Sequence, residues 1–248
     1  ILSATVIYSD AIRDLGLDFA LERRDPTKLD VWVSRSTQTV NSPSYQRSEE
    51  SVNRAVTSAL RGTFVSLVRG GSSATFYPVT PGRVPNLDDD TRPRANLLFR
   101  SDIEPYVRII EGSFPDPVPP DYDQPLPAAI GLQTAELNGL ALGDTFDLFP
   151  FWDDEAAPLT VTIVGIVEPL DLDDRYWSGD SNVIDAPSRS WETYLFHVPE
   201  STFFGYVPAR YPQIVADYDG YYEVDLDALD SRNAVPIADG LTALARDL

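Results

Sequence analysis

The sequence lacks cysteine and methionine altogether and contains a single histidine among its 248 residues. The absence of cysteine excludes disulfides, zinc–thiolate centres and cysteine nucleophiles. A Ser-His-Asp triad would have to use His197, since that mechanism needs a histidine that takes up and returns a proton. His197 follows an apolar run in "YLFHVP", and no G-x-S-x-G motif is present. We therefore expect a histidine packed within a sheet.

Long apolar runs are also missing. The plainest one, "VTIVGIV" at 161–167, has the length of a strand and is well short of the roughly 20 residues that cross a membrane as a helix. Residues 1–10 lack the basic region and the small-residue cleavage site of a signal peptide. The chain starts with Ile1 rather than Met, and we expect it to be a fragment of a longer protein.

Positive charge is scarce, because the formal net charge is -20 and Lys28 is the only lysine. Proteins bind nucleic acid mainly through Lys and Arg on phosphates, so no nucleic-acid partner is expected. A Walker-type phosphate loop needs Gly-Lys-Ser/Thr, whereas Lys28 is followed by Leu29, and no G-x-G-x-x-G is present. We expect no cofactor.

Acidic residues cluster in three segments, 87–91, 152–155 and 171–180. The last of them, "DLDDRYWSGD", does not match the spacing of a calcium loop, which needs oxygen ligands at fixed positions and a glycine at the sharp turn. We expect solvated loops and no metal site. Two carboxylates can also serve a glycosidase, so a secreted glycan-binding or carboxylate-dependent hydrolase module is the alternative function.

Periodicity and turn residues predict both helices and strands. A hairpin is predicted with Gly70-Gly71 as its turn or as part of a longer turn, and 106–111 is a short helical or extended piece closed by Gly112. The predicted helices are 1–22, from Ser42 or Ser44 to Gly62, 132–139, 201–207 and 231–248. The other predicted strands are 29–36, 96–100, 126–131, 144–151, 159–169, 192–201 and 220–229.

This order predicts an α+β fold, with a mixed sheet and packed helices. The first strand-helix-strand unit and the strand-helix unit at the end suggest one sheet that the middle of the chain interrupts. We expect a membrane-proximal α/β subdomain from 1–100 and 189–248, with a smaller β-rich subdomain, 101–188, inserted in it.

Three segments in the middle of the chain carry a family resemblance: "VRIIEGSFP", "AAIGLQTAELNGLALGDTFDLF" and "LTVTIVGIVEP". Their order is similar to that of the extracytoplasmic core domain of FtsX-like ABC transporter permeases, the family of MacB-like macrolide exporters and lipoprotein-release permeases. The segment "DLDDRYW" also resembles one in permeases of this type. Ser113 replaces the usual arginine, and Gly131 stands where a small polar cap is common. The matching positions are Gly112, Phe114, Ala135, Gly139, Leu140, Gly143, Asp144 and Gly165.

The resemblance implies a non-catalytic domain on the extracytoplasmic side of a bacterial membrane, between the first two membrane helices of a permease. It would relay the motion driven by ATP hydrolysis in a cytoplasmic ATPase subunit or domain. Its partners would be its own transmembrane helices, together with a lipid, a lipoprotein, a peptide or a cell-wall hydrolase. The motif residues would be structural: Ala135 and Leu140 would pack the short helix on the sheet, and a left-handed Gly139 would end it.

Aromatic residues of the last third have two interpretations. Large aromatics usually belong to the core, but a cluster of them can also form a contact surface. The residues of this candidate contact surface are Tyr176, Trp177, Phe203 and Phe204.

Overall fold

The computed structural model describes residues 13–247 apart from 41, 87, 120, 122, 154, 178–182 and 186–191. Within these ranges the chain is a mixed α/β protein with five helices and a mixed sheet. Its contacts divide it into unit 1 (1–32, 43–67 and 221–248) and unit 2 (33–42 and 68–220). None of the helices in these ranges combines the length and the apolar character that a membrane crossing requires.

The described elements comprise helices, strands and three short 3-10 turns. The helices are α1 (13–21), α2 (Ser42–Leu60), α3 (Leu132–Asn138), α4 (Glu200–Arg210) and α5 (Ala234–Asp247). The strands are β1 (Val31–Thr39), β2 (Phe64–Ser73), β3 (Phe76–Val79), β4 (Arg94–Arg100), β5 (Val107–Gly112), β6 (Leu126–Gly131), β7 (Thr145–Pro150), β8 (Leu159–Pro169), β9 (Thr193–His197) and β10 (Val215–Val224). The 3-10 turns are Pro26–Lys28, Glu104–Tyr106 and Arg175–Trp177.

Unit 1 is built around helices α2 and α5. Val56 and Leu60, four residues apart on one apolar stripe of α2, are fully buried, and Gly62 follows with a φ of 84°, as expected for the end of a helix. A Cβ added at Gly240 of α5 would lie 3.4 Å from the Cα of Ala59. The two helices therefore approach each other closely at this glycine.

Helix α1 is tied to the segment that precedes α5. The Asp14 carboxylate accepts a hydrogen bond of 2.9 Å from the Ser231 amide. The helix predicted over 1–22 is helical over 13–21, and its first twelve residues lie outside the described ranges.

Unit 2 contains a closed ring of six strands. The ring runs β4-β3-β7-β8-β6-β9 and returns to β4. Two of its pairings are parallel, β4 with β9 and β6 with β8, while the others are antiparallel. β5 pairs with β8 outside the ring. Five side chains with 0–1% exposure, contributed by five of the ring strands, form its core: Leu97, Leu126, Leu148, Ile163 and Phe196.

The predicted hairpin about Gly70-Gly71 is wrong, because β2 runs through both glycines and ends at Ser73. The two glycines are needed for close approach instead. A Cβ at Gly70 would lie 2.8 Å from the carboxylate oxygens of Asp219, and one at Gly71 would lie 2.4 Å from the Phe99 ring. A pair of adjacent glycines is also typical of a turn. The residues that require these glycines are distant in the sequence, so the local pattern alone does not indicate the close approach.

The boundaries of the two contact units differ from the boundaries of the predicted subdomains. The prediction cuts after residues 100 and 188, whereas the contacts cut after 32, 42, 67 and 220. Strands β3 and β9 explain the difference near residues 100 and 188. β3 pairs with β7 and β9 pairs with β6, so both belong to the same unit as the middle of the chain.

Candidate functional site

The first and third motif segments meet between strands β5 and β8. Gly112 and Gly165 are partners in the antiparallel register of these strands, and the Ser113 amide donates a hydrogen bond of 3.0 Å to the Val164 carbonyl. Phe114 follows and is half-buried. Two positions that the resemblance alone connects are therefore neighbours in space.

Both glycines are required by contact between two backbones. A Cβ at Gly112 would lie 2.0 Å from the Val164 carbonyl oxygen, and one at Gly165 would lie 2.1 Å from the Ser113 carbonyl oxygen. Gly112 also has a φ of 70°, which L side chains rarely adopt. No larger residue fits at either place without a shift of the backbone.

The second motif segment forms a compact unit from α3 to β7. Ala135 is 3% exposed, and its carbonyl oxygen accepts hydrogen bonds from the amides of Gly139 and Leu140. Gly139 has φ 64° and ψ 35°, which is the left-handed conformation that commonly ends a helix. Leu140 is half-buried, while Leu137 is 71% exposed.

The turn after α3 attaches this unit to strand β8. Gly143 has a φ of 85°, and its amide donates a 2.9 Å hydrogen bond to the Ile163 carbonyl. The Ile163 amide in turn donates to the Asp144 carbonyl at 2.9 Å, and the Asp144 carboxylate accepts from the Ala141 amide at 2.8 Å. All three motif segments thus meet along residues 163–165 of β8.

Glycine is required at position 131 by a contact with a distant residue, which the neighbouring sequence does not indicate. It precedes α3 and offers no side-chain cap, but Asp185 supplies the cap from a distant part of the chain. Its Oδ1 accepts hydrogen bonds from the Thr134 amide, at 2.7 Å, and from the Thr134 hydroxyl. A Cβ at Gly131 would lie 2.2 Å from the same oxygen, so a small polar cap at 131 would displace Asp185.

We expect the substitution Asp185→Ala to lower the free energy of unfolding by about 1–2 kcal/mol, because a buried cap of α3 is lost. Gly131→Ala should destabilise the wild-type chain, since the new methyl group competes with Asp185 for space. In the Asp185→Ala background the same change should have a much smaller effect. Urea unfolding of the two single variants and the double variant measures the difference. Strict additivity would contradict this role of Gly131.

His197 lies inside the sheet, as expected from its sequence environment. It is 1% exposed, and its Nε2 lies 3.2 Å from the Ile184 carbonyl oxygen. Its Nδ1 has no hydrogen-bond partner within the described residues, so the carboxylate contact of a Ser-His-Asp triad is not formed there. Burial lowers the pKa of His197, and a neutral imidazole results.

We expect stability to fall as the pH is lowered from about 7.5 to about 5.5, with a slope of at most about 1.4 kcal/mol per pH unit. The unfolded chain takes up a proton on His197 near the ordinary histidine pKa. The folded chain does not, because burial lowers that pKa. The unfolded state therefore binds more protons in this window, whereas carboxylates titrate mostly below it.

The control is His197→Gln, which keeps an amide donor for Ile184. Because the sequence has no other histidine, this variant should lose most of the slope between these two pH values when urea unfolding is repeated. An unchanged slope in the variant would show that another group is responsible.

Three residues of the candidate contact surface are buried, which corrects that interpretation. Tyr176, Trp177 and Phe203 are 5%, 1% and 0% exposed, and Phe204 is half-buried. They belong to two separate packed clusters. The Tyr176 ring stacks on Tyr106 at 3.7 Å between centroids, whereas Phe203 and Phe204 both contact the ring of Phe99.

Arg100 holds the segment that contains Tyr176 and Trp177. The guanidinium donates a hydrogen bond to the Tyr176 carbonyl oxygen and lies 4.8 Å from the centre of the Tyr176 ring. Its side chain is 5% exposed, and its second nitrogen lies 4.0 Å from the Asp219 carboxylate. The Tyr176 hydroxyl donates to the Ser101 carbonyl at 2.9 Å. Arg100 therefore anchors the "RYW" turn to the end of β4.

Carboxylates of the three acidic segments accept hydrogen bonds from amides of the same segment. The carboxylates of Asp89, Asp153 and Asp171 each accept hydrogen bonds from amides two residues further along. Hydrogen bonds from Thr91 lower the pKa of Asp89. No group of three or more Asp, Glu or His within the described residues could hold a metal ion. Residues 87, 154 and 178–180 of these segments lie outside the described ranges.

Comparisons with known proteins found similarity among solved structures. No protein-family model and no curated protein matches this chain. The fold is similar to that of a crystallised domain from Porphyromonas gingivalis, described as part of a permease protein. The two chains are 12% identical, the alignment covers 79% of this chain and 74% of that one, and the TM-score is 0.35. A similarity at this level does not assign a function.

Proposed function

We propose that this chain is a non-catalytic extracytoplasmic domain of an ABC transporter permease of the FtsX, MacB or lipoprotein-release type. It relays ATP-driven motion to export, to lipoprotein handling or to a partner outside the membrane. One observation carries the proposal. The three segments that resemble this family, separated by up to about fifty residues, meet on residues 163–165 of β8 through backbone contacts, and those of Gly112 and Gly165 leave no room for a Cβ.

This packing suits a domain that transmits movement. Motion is relayed by elements that shift as rigid bodies about hinges. The contacts of Gly112 with Val164 and of Gly165 with Ser113 lock β5 to β8 without intervening side chains, and the α3–β7 turn is bonded to the same stretch. A pull on one of these elements would therefore move the others with it.

The helices nearest to the two ends support a position between two membrane helices. Helices α1 and α5 belong to the same unit, and Asp14 of α1 contacts Ser231 before α5. In the proposed arrangement both would continue into transmembrane helices of the same permease. The other partners would be a cytoplasmic ATPase subunit or domain and a lipid, lipoprotein, peptide or cell-wall hydrolase.

The first experiment concerns the reading frame around the chain. The proposal requires an apolar stretch of about 20 residues upstream of Ile1 and another downstream of Leu248. A cleavable signal before Ile1 together with a stop directly after Leu248 would contradict the proposal. Topology reporters fused to the ends of this segment in the full-length protein should then report the outer side of the membrane.

The second experiment uses the absence of cysteine. Leu137, on α3, is 71% exposed, so Leu137→Cys in a cysteine-free full-length protein should react with a membrane-impermeant maleimide in intact cells. Its rate of reaction should also change when the ATPase is inactivated, because the domain then no longer cycles. Labelling only after lysis would contradict the location. A labelling rate that stays the same when the ATPase is inactivated would contradict the proposed relay of motion.

A further inference from the structure

Strand β5 is an exposed edge of the sheet in unit 2. It lies outside the closed ring, and β8 is its only partner strand among the described residues. Every residue after Val107, from Arg108 to Gly112, is exposed. The unpaired amides and carbonyls of such an edge form a template to which another strand can add.

A β-bulge in β5 places its apolar side chains on one face of the strand and its charged side chains on the other. Arg108 is opposite Glu168, Ile109 is opposite Val167, and Glu111 is opposite Ile166, which leaves Ile110 as the extra residue. Two residues of a bulge oppose one partner residue. Ile109 and Ile110 therefore share one face, where they are 40% and 39% exposed, and Arg108 and Glu111 share the other.

We propose that β5 pairs in antiparallel orientation with β5 of a second copy of this chain. The run Arg-Ile-Ile-Glu at 108–111 is self-complementary in that orientation. A two-fold axis between Ile109 and Ile110 places Arg108 of each copy opposite Glu111 of the other. The isoleucines then meet across the axis, and opposite charges pair on the other face.

Leu142 and Leu170, which lie next to the two ends of β5, extend the proposed dimer interface. Leu142 is 38% exposed, and its Cδ2 would lie 2.9 Å from a Cβ at Gly112. Leu170 is 59% exposed, and its amide is bonded to the Tyr106 carbonyl, just before β5 begins. Antiparallel pairing brings the Gly112 end of one strand to the Val107 end of the other, so Leu142 of one copy faces Leu170 of the other.

Two features set the expected strength of this contact. The Arg108 side chain already donates hydrogen bonds to Glu168 but remains 64% exposed, so it can also donate to a second carboxylate. Repulsion between two chains of net charge -20 is largely screened at about 0.15 M salt, where the Debye length is about 8 Å. A strand of six residues makes a small interface, so we expect weak, concentration-dependent dimers.

The test is sedimentation velocity of the full 248-residue chain over a wide range of concentration. Arg108→Glu and Glu111→Arg should each weaken the dimer about tenfold, because each creates two like-charge pairs. An equimolar mixture of the two variants should associate as strongly as the wild type, because its cross-strand pairs again have opposite charge. The double variant Arg108→Glu/Glu111→Arg should also dimerise.

The mixture separates pairing from misfolding, because Arg108→Glu also faces Glu168 within its own chain. Circular dichroism and thermal unfolding of each variant alone verify its fold. A wild-type chain that stays monomeric at all concentrations would overturn the proposal. So would a mixture that associates no better than its components, or a dimer that neither single variant weakens.

Discussion

Replacing Gly165 by alanine should lower the free energy of unfolding by about 3 kcal/mol. The added Cβ would lie 2.1 Å from the Ser113 carbonyl oxygen, and a backbone oxygen cannot turn away as the end of a side chain can. Strands β5 and β8 would have to separate, which costs as much as overpacking a core. Gly112→Ala should destabilise by roughly 4 kcal/mol, because its contact is equally short and its φ of 70° adds strain.

Gly139→Ala is the matched control for these substitutions. Its φ of 64° is close to that of Gly112, but nothing lies within 4 Å of the added Cβ. It should therefore cost only about 1 kcal/mol, which is the backbone strain alone. Urea unfolding of the three variants gives the comparison. Equal losses for Gly112→Ala and Gly139→Ala would mean that strain, and not contact with β8, makes Gly112 necessary.

Features that depend on neighbouring residues could be predicted from the sequence. The left-handed Gly139 at the end of α3, the buried stripe of α2 and the strand around His197 all follow from patterns within a few residues. Helix periodicity, capping and apolar runs are local properties. The mixed α/β character follows from the same patterns.

Features that depend on distant partners could not be predicted. The ring closes through the parallel pairing of β4 with β9, strands separated by almost a hundred residues. Gly70 and Gly71 resemble a turn until Asp219 and Phe99 occupy the space beside them. Nothing near Gly131 indicates that Asp185 caps α3. In each case the deciding atom lies on another element, and a single sequence does not identify it.

The sequence does not decide between the two interpretations of the aromatic residues for a related reason. Burial of Tyr176 and Trp177 depends on whether the polar segment around them returns to the sheet. The guanidinium of Arg100 contacts the Tyr176 carbonyl and both aromatic rings, and Tyr176 stacks on Tyr106. A charged residue at the end of a strand usually lies in solvent. Its role as a buried anchor therefore became visible only in three dimensions.

We expect Arg100→Met to lower the free energy of unfolding by about 3 kcal/mol. The Tyr176 carbonyl would lose a charged hydrogen-bond donor in a buried site, and such bonds contribute about 1.5–3 kcal/mol. The Asp219 carboxylate would also lose the nearby guanidinium, although its partial exposure to solvent limits that part. Arg100→Lys keeps the charge but loses the planar fork that spans both partners. Its free energy of unfolding should therefore lie between those of the wild type and Arg100→Met.

Arg69→Met is the control, because the Arg69 side chain is 35% exposed and pairs with Glu200, itself 28% exposed, at 3.1 Å. An ion pair that water can reach contributes about 0–1 kcal/mol. Urea unfolding followed by near-ultraviolet circular dichroism reports both stability and the packing of the stacked Tyr106 and Tyr176 rings. If Arg100→Met destabilises the chain no more than Arg69→Met, the "RYW" turn is held by its aromatic packing and not by the buried guanidinium.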